Sequence, residues 1–464
     1  TGANSSIAAA QTVSIPVTVN GRIGAPAKDG TPTANYYRFH ATKGQKLVLD
    51  VNARRLGSDL DSVLDVLNVK GEPVERATVR AVLETATTLS ERDSVTRGVR
   101  LLSPAGINVG DYLMIGGEII RVEELPRGPD SDTFFDAFGA QRIAYFDTTT
   151  EAHAVDKPVY KVRIYPPGKK FAPNGLPLEH LYYRNDDGGP GYSKDSRVHF
   201  TAPADGDYVV RIRDVRGLGG DTYSYRLTLR PPLPDFRLAV DPKNPNVPAG
   251  GCIPVTVTAS RMDDFEGPIQ VSLQDLPAGI HATAGAIGAD QVSATLLLSA
   301  DANAKLERSV PLKAVGQAKD GSRLLAHTAD PDDSLKLISV MPKADIVVTA
   351  ETKEVDLEPG GKAQITVSIA RQNGFAGRVP IEVLNLPPRV KVANVGLNGV
   401  LVTEDQTRRS FTVEALPQAE PIEQRIYVGG RVETRSTEAN SYTAPQAIIL
   451  RVKPKQDVAK VTHP

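Results

Sequence analysis

Gly250-Gly251-Cys252-Ile253-Pro254-Val255-Thr256-Val257 and, about 110 residues later, Gly360-Gly361-Lys362-Ala363-Gln364-Ile365-Thr366-Val367 are two readings of one pattern. The segment 235–280 aligns with 345–390 without gaps. Asp235 matches Asp345, Phe265 and Gly267 match Phe375 and Gly377, and Leu276-Pro277 matches Leu386-Pro387. After each Gly-Gly pair, apolar residues alternate with polar ones: Ile253, Val255, Val257 in the first copy and Ile365, Val367, Ile369 in the second. A period of two predicts a half-buried strand, because successive side chains leave a strand on opposite faces.

Working outward, a repeat of this length built from short strands has the size of an immunoglobulin-like sandwich. Antibody domains carry a Cys…Trp…Cys signature. The chain has no Trp and a single Cys, so the similarity is to the broader bacterial Ig-like class. Domain boundaries follow at 235–342 and 345–453, with a polar, flexible tail over 454–464. The chain has 464 residues, including 39 Gly and 35 Pro, which divide it into short pieces. Long helices tolerate neither residue, whereas strands joined by tight turns tolerate both. The fold class expected is all-β and multi-domain.

The first 230 residues hold further strands. Asn35-Tyr36-Tyr37-Arg38-Phe39 is followed by Gly44-Gln45-Lys46-Leu47. Later come Asn185-Asp186-Asp187, Asp195-Ser196-Arg197, Phe200-Thr201-Ala202-Pro203-Ala204-Asp205-Gly206-Asp207-Tyr208 and Tyr223-Ser224-Tyr225-Arg226-Leu227. In this order, segments 11–73 and 180–230 resemble the bacterial pre-peptidase C-terminal (PPC) domain family. The resemblance implies a jelly-roll-like β-sandwich appended to secreted proteins, often proteases. The chain departs from that family in having roughly a hundred extra residues between the halves, too many for a structureless loop. Gly110-Asp111-Tyr112-Leu113-Met114-Ile115-Gly116-Gly117-Glu118-Ile119-Ile120-Arg121-Val122 reads as a hairpin around Gly-Gly. With Thr148-Thr149-Thr150-Glu151-Ala152-His153 and Pro158-Val159-Tyr160-Lys161-Val162, it resembles small β-barrel-like modules of phage tail and surface proteins. The reading is therefore a discontinuous PPC-like sandwich over 1–75 and 173–230, with a small β domain inserted over 76–172. An extended row of four domains is expected, joined by the stiff Arg230-Pro231-Pro232-Leu233-Pro234 and the short Ser339-Val340-Met341-Pro342-Lys343.

Charge and motifs narrow the function. A net charge of -1, with both signs interspersed, lacks the basic footprint of a nucleic-acid binder. No apolar run is long enough to span a bilayer. The chain opens on a polar segment at Thr1, which reads as a processed form or a piece of something larger. Cys252 has no sequence neighbour able to act as a base and reads as a small core or strand-edge residue. None of the seven His stands in a helical zinc spacing, and His153 reads as a turn or barrel-packing residue. No Gly-x-Ser-x-Gly elbow occurs. The Gly-rich Arg216-Gly217-Leu218-Gly219-Gly220 precedes a strand rather than a helix, so it reads as a hairpin loop. Tyr182, Tyr183 and Tyr192 read as core or interface residues in preference to a sugar-stacking platform.

One group of oxygens stands out: Asp59 and Asp61 in one loop, and Asn185, Asp186, Asp187 and Asp195 in another. If the PPC-like sandwich brings these loops together, they supply ligands of the kind calcium takes. The alternative is Asx-turn bonding to nearby amides. The expected function is a non-catalytic, secreted or cell-surface bacterial module acting in adhesion, spacing or assembly. Its partners would be other proteins or surface polymers, with self-association included. The alternatives are an accessory region of a secreted hydrolase such as a protease, and a structural subunit of an extracellular filament or surface layer.

Overall fold

The computed structural model describes residues 4–126, 131–330, 336–393, 395, 399–432 and 440–454. Of the tail expected over 454–464, all but Pro454 lies outside the described residues. Among the described residues the protein is all-β and multi-domain, with a single 3-10 turn at Arg54–Leu56.

In the first sandwich, one sheet orders its strands Gln11–Thr12, Asn35–Ala41, Gly206–Asp214, Ser62–Asn68 and Arg184–Asn185. The other orders Arg197–Thr201, Lys46–Asn52, Ser224–Arg230 and Val17–Arg22. The alternation read from the sequence faces inward here. Phe39, Leu64 and Val210 of one sheet meet Leu47, Phe200 and Leu227 of the other in one core. Phe200 stacks edge-on to Tyr183 and Tyr208, with ring centroids 4.9 Å apart in both pairs. Edge-on packing suits the ring quadrupoles and fixes how the sheets meet.

The long strand Glu75–Ala86 leaves this sandwich and enters the inserted domain. It pairs with Pro158–Tyr165 and with Leu178–Tyr182, a strand lying beyond residue 172. The Gly-Gly hairpin forms as read, Tyr112–Ile115 against Glu118–Glu124, with Ile115 opposite Glu118. Gly116 has a φ of 60°, which the tight turn requires and glycine adopts without steric cost.

The two repeats share one topology. In the first, Asp235–Asp241, Cys252–Met262, Ser293–Ala300 and Ile280–Ala282 form one sheet. In the second, the same places are taken by Ile346–Ala350, Lys362–Arg371, Arg408–Ala415 and Val390–Ala393. The chain after each first strand leaves that sheet and runs parallel to the last strand: Asn246–Pro248 beside Leu337–Met341 in a separate three-stranded sheet, and Glu354–Leu357 beside Ile448–Val452 within the opposite sheet. The match holds without gaps to the Ile280 and Val390 strands. Beyond it the second copy is five residues longer, since Ala300 pairs with Ile280 where Ala415 pairs with Val390.

The domains are not strung end to end as the expected extended row would be. Arg121 of the insert donates to the Asp290 carbonyl of the first repeat at 3.3 Å. Insert and both repeats together line a cleft of about 1470 Å³. A proline-stiffened linker sets only the local chain direction, whereas complementary faces set which domains touch.

Candidate functional site: the charged domain junctions

The acidic loops do meet, but most of their oxygens are committed to protein donors. Asp195 is fully buried, and its carboxylate accepts from the amides of Ala53 (2.9 Å), Arg54 (2.7 Å) and Arg55 (3.2 Å), and from Arg55 Nε (2.6 Å). Four donors saturate it. Asn185 accepts from the Arg197 amide at 2.8 Å and donates to the Asp147 and Asp187 carbonyls at 3.0 and 2.8 Å. Asp186 accepts from the Thr149 hydroxyl and from the Asp187 amide. Asn185 and Asp186 thus bolt the insert's 147–149 loop to the first sandwich.

Asp59 is exposed, and its carbonyl accepts from Arg216 at 3.0 Å. Burial raises Asp61 and Asp187 above the usual carboxylate range. Asp214 and Asp186 further raise Asp61, Asp186 and Asp61 further raise Asp187, and Lys194, 3.0 Å from Asp187, opposes this. Among the described residues, no group of three or more His, Cys, Asp or Glu is placed to hold a metal ion. The acids that still act on one another are Asp61, Asp186 and Asp187, faced by the Lys194 ammonium.

Two carboxylates that the sequence reading passed over organise the junctions. Asp147 of the insert, at a φ of 55°, pairs with Arg76 and with His199 Nδ1 at 2.9 Å, and it also accepts the His199 amide at 2.9 Å. Burial pushes this carboxyl up, but Arg76 and His199 more than reverse it and hold it well below its ordinary value. Asp263 of the first repeat is 2% exposed and receives Arg197 and Arg230 of the first sandwich. The Leu233 amide of the linker also donates to it, at 2.9 Å. Burial again raises the group, and the Arg230 and linker hydrogen bonds bring it below the usual range. The neighbouring Asp264 pairs with Lys46 at 2.9 Å.

Tyr192 completes this junction. Its ring is buried, with the Arg55, Arg197 and Arg237 guanidiniums 4.6, 4.8 and 5.9 Å from its centroid. Cation–π contacts of this kind strengthen when desolvated. Gly191 has a φ of 80°, which glycine adopts without strain, and a Cβ there would displace the flexible end of Arg237. Tyr183 is also buried and donates to the Thr201 carbonyl, while Tyr182 is exposed. Three stacked sugar-binding rings are therefore not present at this loop.

Inside the insert, Glu118, Arg142 and His153 are all fully buried in one network. Arg142 Nε and Nη2 donate to Glu118 at 2.8 and 3.1 Å, and His153 Nε2 lies 3.0 Å from it. Arg142 also donates to the Asp93, Thr96 and Glu151 carbonyls, tying distant loops together. Burial raises Glu118, and the His153 and Arg142 bonds leave it below its normal value. His153 is thus a buried partner of Glu118, with its Nδ1 lacking a hydrogen-bond partner among the described residues.

Cys252 is buried among Leu297 of its own domain and Tyr427 of the second repeat. Desolvation pushes its thiol up to about 12, which leaves it un-ionised at neutral pH.

No protein-family model matches the sequence, and no curated protein matches it. Among solved structures, domains 4 and 5 of the S-layer protein SbsC are 15% identical, with a TM-score of 0.16, covering 40% of this chain and 75% of that one. A protein of unknown function from Porphyromonas gingivalis W83 is 15% identical, TM-score 0.17, covering 47% of this chain and 97% of that one. The fibronectin(III)-like modules of Clostridium thermocellum CbhA are 13% identical, TM-score 0.15, covering 49% and 97%. Overlaps this loose leave the fold resting on the strand pairing itself.

Proposed function

We propose that this chain is a non-catalytic module of the bacterial surface or extracellular space that holds its domains at fixed angles, for spacing, adhesion or assembly with other proteins or surface polymers. The observation that carries the reading is Asp263, where two arginines of one domain and the linker amide converge on a buried carboxylate of the next. Side chains suited to acid–base work stand in such pairs: Glu118 with His153 inside the insert, and Asp147 with His199 across the boundary between insert and first sandwich. No helix among the described residues is long and apolar enough to cross a membrane. The resemblance of 11–73 and 180–230 to PPC domains supports export. Negative-stain electron microscopy of the purified chain tests the reading. One particle shape with constant interdomain angles is expected, and domains tumbling independently about residues 231–234 would overturn it. Filaments growing with concentration would move the assignment to an assembly subunit.

A further inference from the structure

The duplication is uneven in one respect. Core positions keep their character between the copies, but outward-facing positions change, and they change where one copy covers the other. On the outer face of the sheet holding Cys252–Met262, the first repeat carries Cys252, Thr295, Leu297 and Ser299. The strand pairing places Lys362, Ser410, Thr412 and Glu414 at the same positions of the second. There Lys362 is 56% exposed and lies 3.7 Å from Glu414.

The opposite sheet shows the reverse. On its outer face the second repeat has Leu384, Asn385 and Tyr427, whereas the first has Gln274, Asp275 and Lys313. Lys313 and Asp275 are 44% and 74% exposed and pair at 3.0 Å. Asp275 and Asn385 both adopt left-handed backbone, with φ 56° and 62°, so the change from Asp to Asn is one of charge at a fixed geometry.

The apolar groups are the ones that meet. Cys252, Leu297 and Tyr427 form one buried cluster with Leu384 and Ala447 against it. Around it Gln291 donates to Gln424 Oε1 at 2.8 Å, and the Thr295 amide points to Asn385 Oδ1 at 3.5 Å. A charge on either covered face would lose its water without an ionic partner, which is costly. On the faces left exposed, charge keeps the sheet soluble.

We infer that the outer face around Cys252 and Leu297 is a dedicated docking face for the outer face around Leu384 and Tyr427 of the second copy, and that the two repeats move as one body. The inference deepens the fixed-angle reading, but it rests on this apolar seam and not on the Asp263 junction.

The chain's only cysteine reports on the seam. In the full chain, native Cys252 should react with a maleimide at least on the order of 100-fold more slowly than in denaturant, since labelling must await opening. A C252S/K362C chain carries its thiol at the equivalent exposed position and should label at the rate of a free surface thiol. Tyr427→Lys, which places the first copy's residue on the covered face, should speed Cys252 labelling at least tenfold while the strand circular dichroism is kept. Leu297→Thr, which borrows the second copy's residue, should do the same and serves if the Tyr427 variant unfolds. The inference is overturned if wild-type Cys252 labels as fast as the K362C thiol, or if both folded variants leave its rate unchanged. Failure here, with constant angles still seen by microscopy between the first sandwich and the first repeat, would remove the seam and leave the Asp263 junction standing.

Discussion

Asp263 and Asn373 occupy the same left-handed position, each with a φ of 53°, in the corresponding turns of the two repeats, and each grips the linker entering its own domain. Asp263 accepts from the Leu233 amide at 2.9 Å. Asn373 Nδ2 donates to the Lys343 and Ala344 carbonyls at 3.0 and 3.2 Å. Asp and Asn tolerate this backbone better than other non-glycine residues. The carboxylate adds what the amide cannot: it draws Arg197 and Arg230 across the domain boundary.

Asp263→Asn should therefore keep the turn and loosen the junction. Small-angle scattering should show a larger radius of gyration, and a protease should cut at 231–234 faster than in the wild type. An unchanged profile and cutting rate would mean that the arginines do not hold the domains.

Acid should act on the same groups. Asp147 and Asp263 have folded pKa values below the unfolded value of about 3.9. Their stabilisation is fully present above that value and is lost as pH falls through the folded values. Urea midpoints should hold steady from pH 7 to about 5 and fall below about 4. Asp147→Asn should flatten that fall while lowering stability at pH 7.

Arg142→Met should be the most damaging change in the insert. It leaves the fully buried Glu118 with only His153 and the Glu151 amide, and removing one partner of a buried pair costs up to about 3–5 kcal/mol. Adding Glu118→Gln should recover part of the loss, as two contacting sites are not additive. Denaturant titrations of the two variants measure both effects; equal losses in single and double variants would show that Glu118 is not the stranded charge.

Calcium has a defined place to be tested. As they stand, no three of these acids are placed to hold a metal ion; we propose that a divalent cation enters between Asp61, Asp186 and Asp187 only when the Lys194 ammonium, 3.0 Å from Asp187, is taken away. Lys194→Ala should melt higher in millimolar calcium than in chelator, by more than the wild type does, because a ligand of the folded state alone stabilises it. Identical melting in both solutions would remove the proposal.

Much of the fold was legible because periodicity is local. The alternation at Ile253–Val257 and Ile365–Val367, the Gly116-Gly117 hairpin and the Pro/Asp/Gly turn before Tyr208 all report on neighbours along the chain. The acidic loops were legible as a group, yet their partners were not: nothing near Asp195 in sequence announces the Ala53 and Arg54 amides. Asp263-Asp264, standing where the second copy has Asn373-Gly374, was a visible departure from the repeat, and it marks the junction.

The sequence by itself determined the strands, the duplication and the all-β class, since a two-residue period and turn chemistry act over a few residues. Only the tertiary structure decided which charges are buried and which outer faces are covered. Nothing nearby in sequence marks Asp147, Asp263, Glu118 or Arg142; folding brings them ionic partners from 24 to 71 residues away. Cys252 reads as a small core or strand-edge residue, and only the second repeat's Tyr427 shows it to be covered at a domain contact. Burial is set by long-range contact, so its chemistry appears only when the domains meet.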